Sequence, residues 1–326
     1  MNTKMQAIVL NNYGPPEVLN LAEVERPVPK ENQVLIKIHA ASVNAADWRM
    51  MRASPFLVRL MFGFFKPKIR ILGADIAGRV EAVGSGVKGF KVGDEVFGDI
   101  SVSGFGGFAE YVCAPETAVA HKPVNQSFEE AASVPLAAIT ALKSLVDKGK
   151  LQKGQKVLIN GASGGVGTFA VQIAKAYGAE VTAVCSRGKM GLARLLGADH
   201  VIDYSQEDFT KNGNSYDIII AANGYHPVWA YRRALKPNGV YVMVGGSGWQ
   251  LFEAMVLGPV ISLMSRKKVV TLTWQPTQDD LVAIRKLIEA EKLKPVIEKV
   301  YPLSEVREAV RYVEQGHARG KVVISI

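Results

Sequence analysis

One segment, Lys156-Val-Leu-Ile-Asn-Gly-Ala-Ser-Gly-Gly-Val-Gly167, joins a short apolar strand to a helix through a glycine-rich turn. Apolar residues recur in the helix at a 3.6-residue period, which buries one helix face. Glycines let the backbone turn sharply, and the new helix points its positive end at a bound anion, most often a pyrophosphate. The predicted cofactor-binding residues of this turn are Gly161, Ser163, Gly164, Gly165, Val166 and Gly167.

Strands and helices alternate from residue 156 onward. Strands are predicted at 156–160, 180–185, 200–203, 216–222, 239–244 and 268–274, and Gly178 and Gly197 close two of the helices between them. Six strands with crossover helices predict a parallel, doubly wound α/β sheet of the Rossmann type, with the glycine turn after its first strand. The loops after its fourth and fifth strands add the candidate cofactor residues Asn223, Gly245 and Gly246.

The segments on either side of this sheet have a different pattern. Strands are predicted at 6–10, 34–40, 76–83 and 108–112, with closely spaced turns, which indicates a compact β-barrel or sandwich. A capping box at Ser127 and the segment Thr277-Gln-Asp-Asp280 predict two helix starts, and a helix is also predicted at 136–147. A strand at 296–301, a helix at 304–315 and a last strand at 322–326 are expected to return to the first domain.

Composition excludes several classes of protein. The 326 residues are 48% hydrophobic and 21% charged, which is ordinary for a globular protein of two domains. Two cysteines cannot form a four-thiolate zinc cluster and fit a reducing cytosol. No secretory signal and no membrane-spanning run is recognised. The net charge of +9 comes from scattered Lys and Arg, so a solvated basic surface is favoured over nucleic-acid binding.

An apolar, aromatic segment interrupted by basic residues covers 50–65. A core helix is the simplest interpretation of this segment. The alternatives are a lining for an apolar substrate pocket and a contact with a membrane surface or a partner.

The end of the second strand of the α/β sheet indicates which dinucleotide binds. Folds that prefer NAD carry an acidic side chain there, about 20 residues after the glycines, to accept the ribose 2′-hydroxyl. This strand instead ends Val184-Cys-Ser-Arg-Gly-Lys189, without Asp or Glu. Ser186 offers a hydroxyl, and Arg187 and Lys189 offer positive charge, which suits a 2′-phosphate. NADPH is therefore the expected cofactor, although the two cations are alternatively only solvated residues at a helix start.

Several further segments, in order along nearly the whole chain, resemble one family. They are Ser42-Val-Asn-Ala-Ala-Asp47, Gly73-Ala-Asp-Ile-Ala-Gly-Arg-Val-Glu-Ala-Val-Gly84, Val92-Gly-Asp-Glu-Val-Phe-Gly98, Gly107-Phe-Ala-Glu-Tyr111, Leu196-Gly-Ala-Asp-His-Val-Ile-Asp-Tyr204, Ala234-Leu-Lys-Pro-Asn-Gly239 and Gly320-Lys-Val-Val-Ile324. Together with the glycine turn, they resemble the medium-chain dehydrogenase/reductase superfamily, in its zinc-independent, quinone oxidoreductase-like branch.

The resemblance implies two domains with a cleft between them. A chaperonin-10-like β-barrel domain would comprise 1–125 and 266–326, and a Rossmann dinucleotide-binding domain would comprise 126–265. Zinc-dependent relatives have a cysteine ligand where Asn44 stands and a Gly-His-Glu motif where this chain has Gly73-Ala74-Asp75. Catalytic zinc needs three protein ligands, so no zinc is expected here. The resemblance also implies a homodimer, and the cysteine content predicts a cytoplasmic location.

In the absence of a metal, the resemblance implies catalysis mainly by positioning. Hydride would pass from nicotinamide C4 to an electron-poor carbon of a quinone or α,β-unsaturated carbonyl, with the proton taken from water. Asn44 and Asp47 match cleft residues of the family and are the candidate catalytic residues, with a structural turn as the alternative. Thr140 matches a residue beside the nicotinamide, and Tyr204 matches one near the 2′-phosphate.

Other functions remain open on the sequence alone. Residues 161–165 also match the Gly-x-Ser-x-Gly nucleophile elbow of α/β-hydrolases, and Asp217 and His317 follow in hydrolase order. Neither the basic end of the second strand nor the first domain has a role in a hydrolase. A zinc-type alcohol dehydrogenase is a remote alternative, and a non-enzymatic NADPH-binding or regulatory protein is the main one.

Overall fold

The computed structural model describes residues 3–56, 58–246 and 248–326, in which the chain divides into two compact units. The first unit comprises Met1–Ala137, Gln275–Ala290 and Pro295–Ile326, and the second comprises Ala138–Trp274 and Glu291–Lys294. The domain division from sequence (1–125 with 266–326, and 126–265) stays a prediction beside these bounds. Leu57, part of the apolar segment at 50–65, lies outside the described residues.

The first unit begins with seven strands. They are β1 (Lys4–Leu10), β2 (Leu19–Glu25), β3 (Gln33–Val43), β4 (Asp75–Val83), β5 (Glu95–Asp99), β6 (Tyr111–Pro115) and β7 (Val119–His121). Strands β1 and β2 pair with each other, whereas β3, β4, β5 and β7 follow one another in a larger antiparallel sheet and β6 pairs with β3. Helices α1 (Ala45–Arg52) and α2 (Val58–Phe62) lie between β3 and β4, and α3 (Phe128–Ala132) follows the capping box at Ser127.

One predicted strand is misplaced, and three strands were not predicted, namely β2, β5 and β7. The strand expected at 108–112 begins only at Tyr111, because Phe108 crosses over and gives its N–H to the carbonyl of Leu72. The alternation of apolar and polar residues that predicted a strand here does not mark a half-buried strand, because Phe108 and Ala109 are both fully buried. Strand β2 was overlooked because it is a mostly exposed edge strand, in which only Leu19 is buried.

The second unit is a six-stranded parallel sheet. In chain order its elements are α4 (Pro135–Leu142), a π-helical turn at 143–148, β8 (Lys156–Asn160), α5 (Gly165–Ala176), β9 (Glu180–Cys185), α6 (Met190–Leu195), β10 (His200–Asp203), β11 (Tyr216–Ala221), α7 (Val228–Ala234), β12 (Leu235–Met243), α8 (Gly248–Met264) and β13 (Lys268–Thr271). The strand order is β10-β9-β8-β11-β12-β13. This is the doubly wound order with its reversal between β8 and β11, so the predicted sheet is confirmed.

The last segment completes the first unit. It contains α9 (Gln278–Glu289), β14 (Ile297–Pro302), α10 (Val306–Glu314) and β15 (Lys321–Ser325). Strand β15 lies between β14 and β3 and pairs with β3 in antiparallel register, with Val322 opposite Val43. The C-terminal strand therefore joins the first sheet, as predicted from the sequence.

The apolar segment at 50–65 divides into a buried part and an exposed part. Met50 and Met51 on α1 belong to the hydrophobic core of the first unit. Beyond them, Phe56, Phe64 and Phe65 are at least half exposed. The core-helix interpretation therefore holds for the beginning of the segment, and Phe62 also packs partly against the same core.

Candidate active site

The glycine turn after β8 has the backbone that its sequence predicts. Gly161 has φ +83°, and a Cβ added there would lie 2.7 Å from the backbone nitrogen of Asn223. A Cβ on Gly167 would lie 2.1 Å from the carbonyl oxygen of Gly161. Gly164, which caps the twelve-residue helix α5, has no neighbour closer than 3.6 Å to such an atom. The turn thus leaves the positive end of α5 open, and its residues fit a phosphate group.

Basic and hydroxyl-bearing residues lie at the carboxyl ends of β9 and β10. Ser186 directly follows β9, and Arg187 and Lys189 belong to the short helical turn after it. Tyr204 follows β10, and its N–H donates to the carbonyl of Cys185 at 3.3 Å, which joins the two strand ends. Arg187 is exposed and the Tyr204 side chain is 62% exposed. The structure therefore brings the four candidate 2′-phosphate residues to one edge of the sheet.

An acid that the sequence analysis did not consider lies at the same edge. Asp203, the last residue of β10, is buried, and its Oδ1 accepts hydrogen bonds from the N–H and hydroxyl of Ser205 at 3.0 and 2.8 Å. Its carboxylate is thus directed into the loop that follows β10. Asp203 ends the third strand of the sheet, whereas the ribose-binding acid of NAD-preferring folds lies at the end of the second strand.

The loops after β11 and β12 require glycine where they approach other groups. Gly224 has φ +87° and lies against the amide of Asn160, and Gly246 has φ +126° and lies against the amide of Gln250. Asn223 is exposed, and its side-chain oxygen accepts the N–H of Gly224 at 2.9 Å.

A buried tyrosine connects the supports of these two loops. The Tyr231 hydroxyl accepts hydrogen bonds from Asn160 Nδ2 at 2.8 Å and from Gln250 Nε2 at 3.4 Å, and it donates to the carbonyl of Gly224 at 3.5 Å. Burial raises the pKa of Tyr231 to about 12, so the hydroxyl keeps its proton at neutral pH. Tyr241 stacks on Tyr231 with ring centroids 4.3 Å apart, and it also accepts from Gln250. The sequence analysis missed this network because its members are far apart along the chain.

Thr140, predicted beside the nicotinamide, lies on α4 and is 5% exposed. Its carbonyl oxygen accepts the hydroxyl of Ser144 at 2.7 Å. This bond connects the end of α4 to the π-helical turn that follows.

The two candidate catalytic residues, Asn44 and Asp47, lie at the start of α1 in the first unit. The carboxylate of Asp47 accepts the backbone N–H of Asn44 at 2.7 Å and that of Gly73 at 2.9 Å. Burial raises the pKa of Asp47 to about 7, while these two N–H donors lower it. Asp47 is fully buried, and its observed bonds hold the start of the helix.

The amide of Asn44 is held on both sides by buried charged groups. Its Oδ1 accepts from Lys321 Nζ at 2.5 Å, and its Nδ2 donates to Asp75 Oδ2 at 2.9 Å. Lys321 also forms an ion pair with Asp75 at 3.2 Å, and both side chains are almost completely buried. Ser42 donates its hydroxyl to the same oxygen of Asp75. Lys321 was quoted in the sequence only as part of a family motif, because its partners lie on strands far away in the chain.

A second buried carboxylate lies beside Asp75. Asp99 on β5 is directly opposite Asp75 on β4 and is 2% exposed. Its Oδ1 accepts the N–H of Ser101 at 2.8 Å, whereas its Oδ2 is buried without a hydrogen-bond partner among the described residues. Burial and the neighbouring Asp75 charge raise the pKa of Asp99 to about 7.

These donors do not suit zinc. Asn44 supplies an amide and Ala74 supplies no donor, so Asp75 is the one anionic group at the positions where zinc-dependent relatives have ligands. The Lys321 ammonium lies against both Asn44 and Asp75 and would repel a divalent cation. In the part of the chain that the structure describes, no three His, Cys, Asp or Glu residues are grouped to hold a metal ion.

The hydrolase alternative fails on geometry. Ser163 follows the carboxyl end of β8, whereas Asp217 lies at the amino end of β11. These strands are parallel neighbours, so the two residues are at opposite edges of the sheet. Asp217 instead accepts the N–H of Lys156 and pairs with Lys236 at 2.8 Å.

Comparison with known proteins places the chain in a family. Residues 30–124 match the alcohol dehydrogenase GroES-like domain, and residues 196–324 match the zinc-binding dehydrogenase family. The chain is 37% identical to the human "NAD(P)H oxidoreductase RTN4IP1, mitochondrial", over 100% of this chain and 90% of that protein. It is 38% identical to "2-methylene-furan-3-one reductase" of Solanum lycopersicum (99% and 79% covered) and 34% identical to "Chloroplast envelope quinone oxidoreductase homolog" of Arabidopsis thaliana (98% and 98%).

A solved structure gives the same result. The quinone oxidoreductase of Coxiella burnetii is 32% identical, covers 99% of both chains and superposes with a TM-score of 0.89. Fold, glycine turn and relatives define an NAD(P)H-dependent oxidoreductase with a GroES-like β domain and a Rossmann domain. The chain belongs to the medium-chain dehydrogenase/reductase superfamily, in its quinone oxidoreductase-like branch.

The predicted cytoplasmic location is wrong on this comparison. The human relative is named mitochondrial and the Arabidopsis relative is named for the chloroplast envelope. Cysteine content alone did not distinguish the cytosol from these compartments. Within the described residues, no helix has the length and apolar character needed to cross a membrane.

Proposed function

We propose that the protein is an NADPH-dependent, zinc-independent reductase of quinones or α,β-unsaturated carbonyls. The observation that carries the proposal is the edge formed by Ser186, Arg187, Lys189 and Tyr204, which offers hydroxyls and positive charge where an NAD site has a carboxylate. The substrate class comes from relatives named as quinone oxidoreductases and as a methylene-furanone reductase.

The chain's own residues would bind and orient the cofactor. The glycine turn at 161–167 and the start of α5 would hold the pyrophosphate, and the edge at Ser186 would hold the 2′-phosphate. Asn223, Gly245, Gly246 and Thr140 would position the nicotinamide half, which supplies hydride when bound. Positioning of the two reactants would then provide most of the rate acceleration, and water would provide the proton.

Asn44 and Asp47 stay predictions as catalytic residues. Their bonds support a positioning role, because the Asn44 amide is held between Lys321 and Asp75 while Asp47 holds two backbone N–H groups. We expect activity without zinc, because the Lys321 ammonium lies against both Asn44 and Asp75 and would repel the ion. Turnover that a chelator abolishes and added zinc restores would contradict it.

The cofactor experiment compares NADPH with NADH. Replacing both Arg187 and Lys189 by Ala should weaken NADPH binding by about 100-fold or more, since two charge-assisted hydrogen bonds of about 1.5–3 kcal/mol each are removed, and it should leave NADH binding unchanged. Arg194→Ala is the control, because this exposed arginine lines a polar groove at the amino ends of the strands. An NADH preference in the wild type that the double substitution does not alter would refute the phosphate site.

The substrate experiment follows NADPH oxidation with a panel of quinones, enones and aldehydes. Turnover of quinones or enones, with little turnover of simple aldehydes, is the expected result. Tight NADPH binding without turnover of any compound would instead support the non-enzymatic, NADPH-binding function.

We also propose that the protein is a homodimer, with small molecules rather than nucleic acid as its other ligands. Helix α8 exposes a row of large apolar side chains: Trp249, Phe252, Met255, Val256, Val260, Leu263 and Met264. Next to it, β13 forms an edge of the sheet and pairs only with β12 among the described strands. An exposed edge strand and an apolar helix face favour a second copy. Leu263→Glu should give a monomer by light scattering, and a monomeric wild type would refute the proposal.

A further inference from the structure

The segment from Trp48 to Ala74 has an unusual charge pattern. It contains six basic residues and no Asp or Glu: Arg49, Arg52, Arg59, Lys66, Lys68 and Arg70. Arg52 is neutralised by Glu314, with which it forms a two-point hydrogen bond. Lys66, Lys68 and Arg70 are exposed, and the one hydrogen bond that their side chains form among the described residues is neutral, from Arg70 to Asn11 Oδ1 at 2.6 Å. The segment therefore presents a concentrated positive charge to its surroundings.

Large apolar side chains are exposed beside these cations. Phe56 is 60% exposed, Leu60 63%, Phe64 50% and Phe65 86%. The three phenylalanine rings contact one another edge to face, with centroids 5.9 Å apart for Phe56 and Phe64 and 5.0 Å apart for Phe64 and Phe65. Single exposed apolar residues are common, but a contiguous aromatic cluster usually marks a contact surface.

The rest of the first unit holds this cluster in place. The Tyr13 hydroxyl donates to the carbonyl of Gly63 at 2.8 Å, and the Arg59 guanidinium lies 5.0 Å above the Tyr13 ring. Lys68 gives its backbone N–H to the carbonyl of Phe62 at 2.8 Å. The apolar side chains thus project from a loop that is already folded. Docking onto a surface therefore costs little further conformational entropy of the backbone.

We propose that this aromatic-basic loop, formed by residues 56 and 58–70, docks onto an anionic lipid surface. Aromatic side chains favour the boundary between headgroups and acyl chains, and cations around them pair with anionic headgroups. A second copy fits less well, because a two-fold contact through the loop would bring Lys66, Lys68 and Arg70 of both copies together. The exposure of the phenylalanines also disagrees with the closed wall of a substrate pocket. The loop belongs to the first unit and the candidate cofactor residues at 161–246 belong to the second, and the inference does not depend on the proposed reaction.

Vesicle sedimentation with the full chain tests the proposal. Phosphatidylcholine vesicles are compared with vesicles containing about one-third phosphatidylglycerol, at low salt and then at about 0.5 M salt, where screening shortens the reach of the charges. The wild type is expected to bind the anionic vesicles, to bind neutral ones much less and to be released by salt.

Two variants and matched controls separate this loop from the overall positive charge. Lys66→Gln with Lys68→Gln should lower the partition coefficient roughly 30-fold, because each cation at an anionic surface contributes about a factor of five. Phe65→Ser should lower it roughly tenfold through lost apolar burial. Lys30→Gln with Lys91→Gln removes the same charge from exposed positions elsewhere, and it should change binding little.

The outcomes are distinct. Loss of binding in the loop variants, with retention in the control, supports the proposal. A wild type that does not bind anionic vesicles overturns it, and so does binding to neutral vesicles that is equally strong and unaffected by salt. Equal losses in the control and in the lysine variant would assign binding to the overall charge of +9 and would overturn it as well.

Discussion

Replacing Asp99 by Asn should make the protein more stable at neutral pH. The carboxyl is buried on β5 opposite Asp75, and one of its oxygens has no hydrogen-bond partner among the described residues. Its pKa rises from the ordinary 3.8 to about 7 in the folded protein. The folded state therefore keeps a proton that the unfolded chain loses, and the free energy of unfolding falls as pH rises from about 4 to about 7.

The size of the effect follows from the same shift. Each unit of difference between the folded and unfolded pKa corresponds to about 1.4 kcal/mol. Ionisation of Asp99 therefore lowers the free energy of unfolding by at most about 4 kcal/mol above pH 7. Asparagine keeps the shape and the acceptor for Ser101 but cannot ionise, so it removes this penalty. The stability difference between variant and wild type should grow from pH 4 to pH 8 in favour of the variant.

Urea unfolding followed by circular dichroism at several pH values between 4 and 8 measures this difference. The comparison at pH 4, where the wild-type carboxyl is protonated in the folded state, serves as the internal reference for packing changes. A difference that stays constant across this range would refute the reasoning.

Three further predictions concern other residues. Gly167→Ala should weaken NADPH binding roughly 100-fold, because the new Cβ would force the turn away from the carbonyl of Gly161; unchanged affinity in a fluorescence titration would contradict it. Tyr231→Phe should weaken NADPH binding by about tenfold, since two buried amides lose their acceptor. Tyr241→Phe is its control, and an equal effect of both substitutions on affinity would remove Tyr231 as a positioning residue. Lys321→Met should lower the free energy of unfolding by about 3–5 kcal/mol by leaving a buried carboxylate unpaired, and a loss below about 1 kcal/mol in urea unfolding would contradict this.

The second unit could be predicted almost completely from its sequence. Parallel strands are buried on both faces, so each one gives a continuous run of Val, Ile and Leu, as in Val157–Ile159. The glycine turn adds a signal that depends on local backbone geometry alone. Ends of strands were less certain, because β12 extends back to Leu235 through residues that also resemble a turn.

The polar groups that surround the candidate site could not be predicted. Lys321 meets Asn44 only because β15 and β3 pair in one particular register, and 277 positions separate the two residues along the chain. Tyr231 is likewise one apolar-looking residue of α7 until the fold places its hydroxyl between two amides. Short-range patterns contain no information on such contacts, which depend on tertiary structure.

The position of β15 has a consequence for the synthesis of the protein. This strand follows all the other described strands along the chain, yet it lies inside the first sheet between β14 and β3. A nascent chain that ends after β13 already contains the whole second sheet, whereas the first still exposes the edge of β3 and holds Asp75 without its lysine. Domains fold largely as their sequence becomes available, so the second sheet should form first. The first sheet should stay incomplete, with the edge of β3 accessible to chaperones, until β15 has been synthesised.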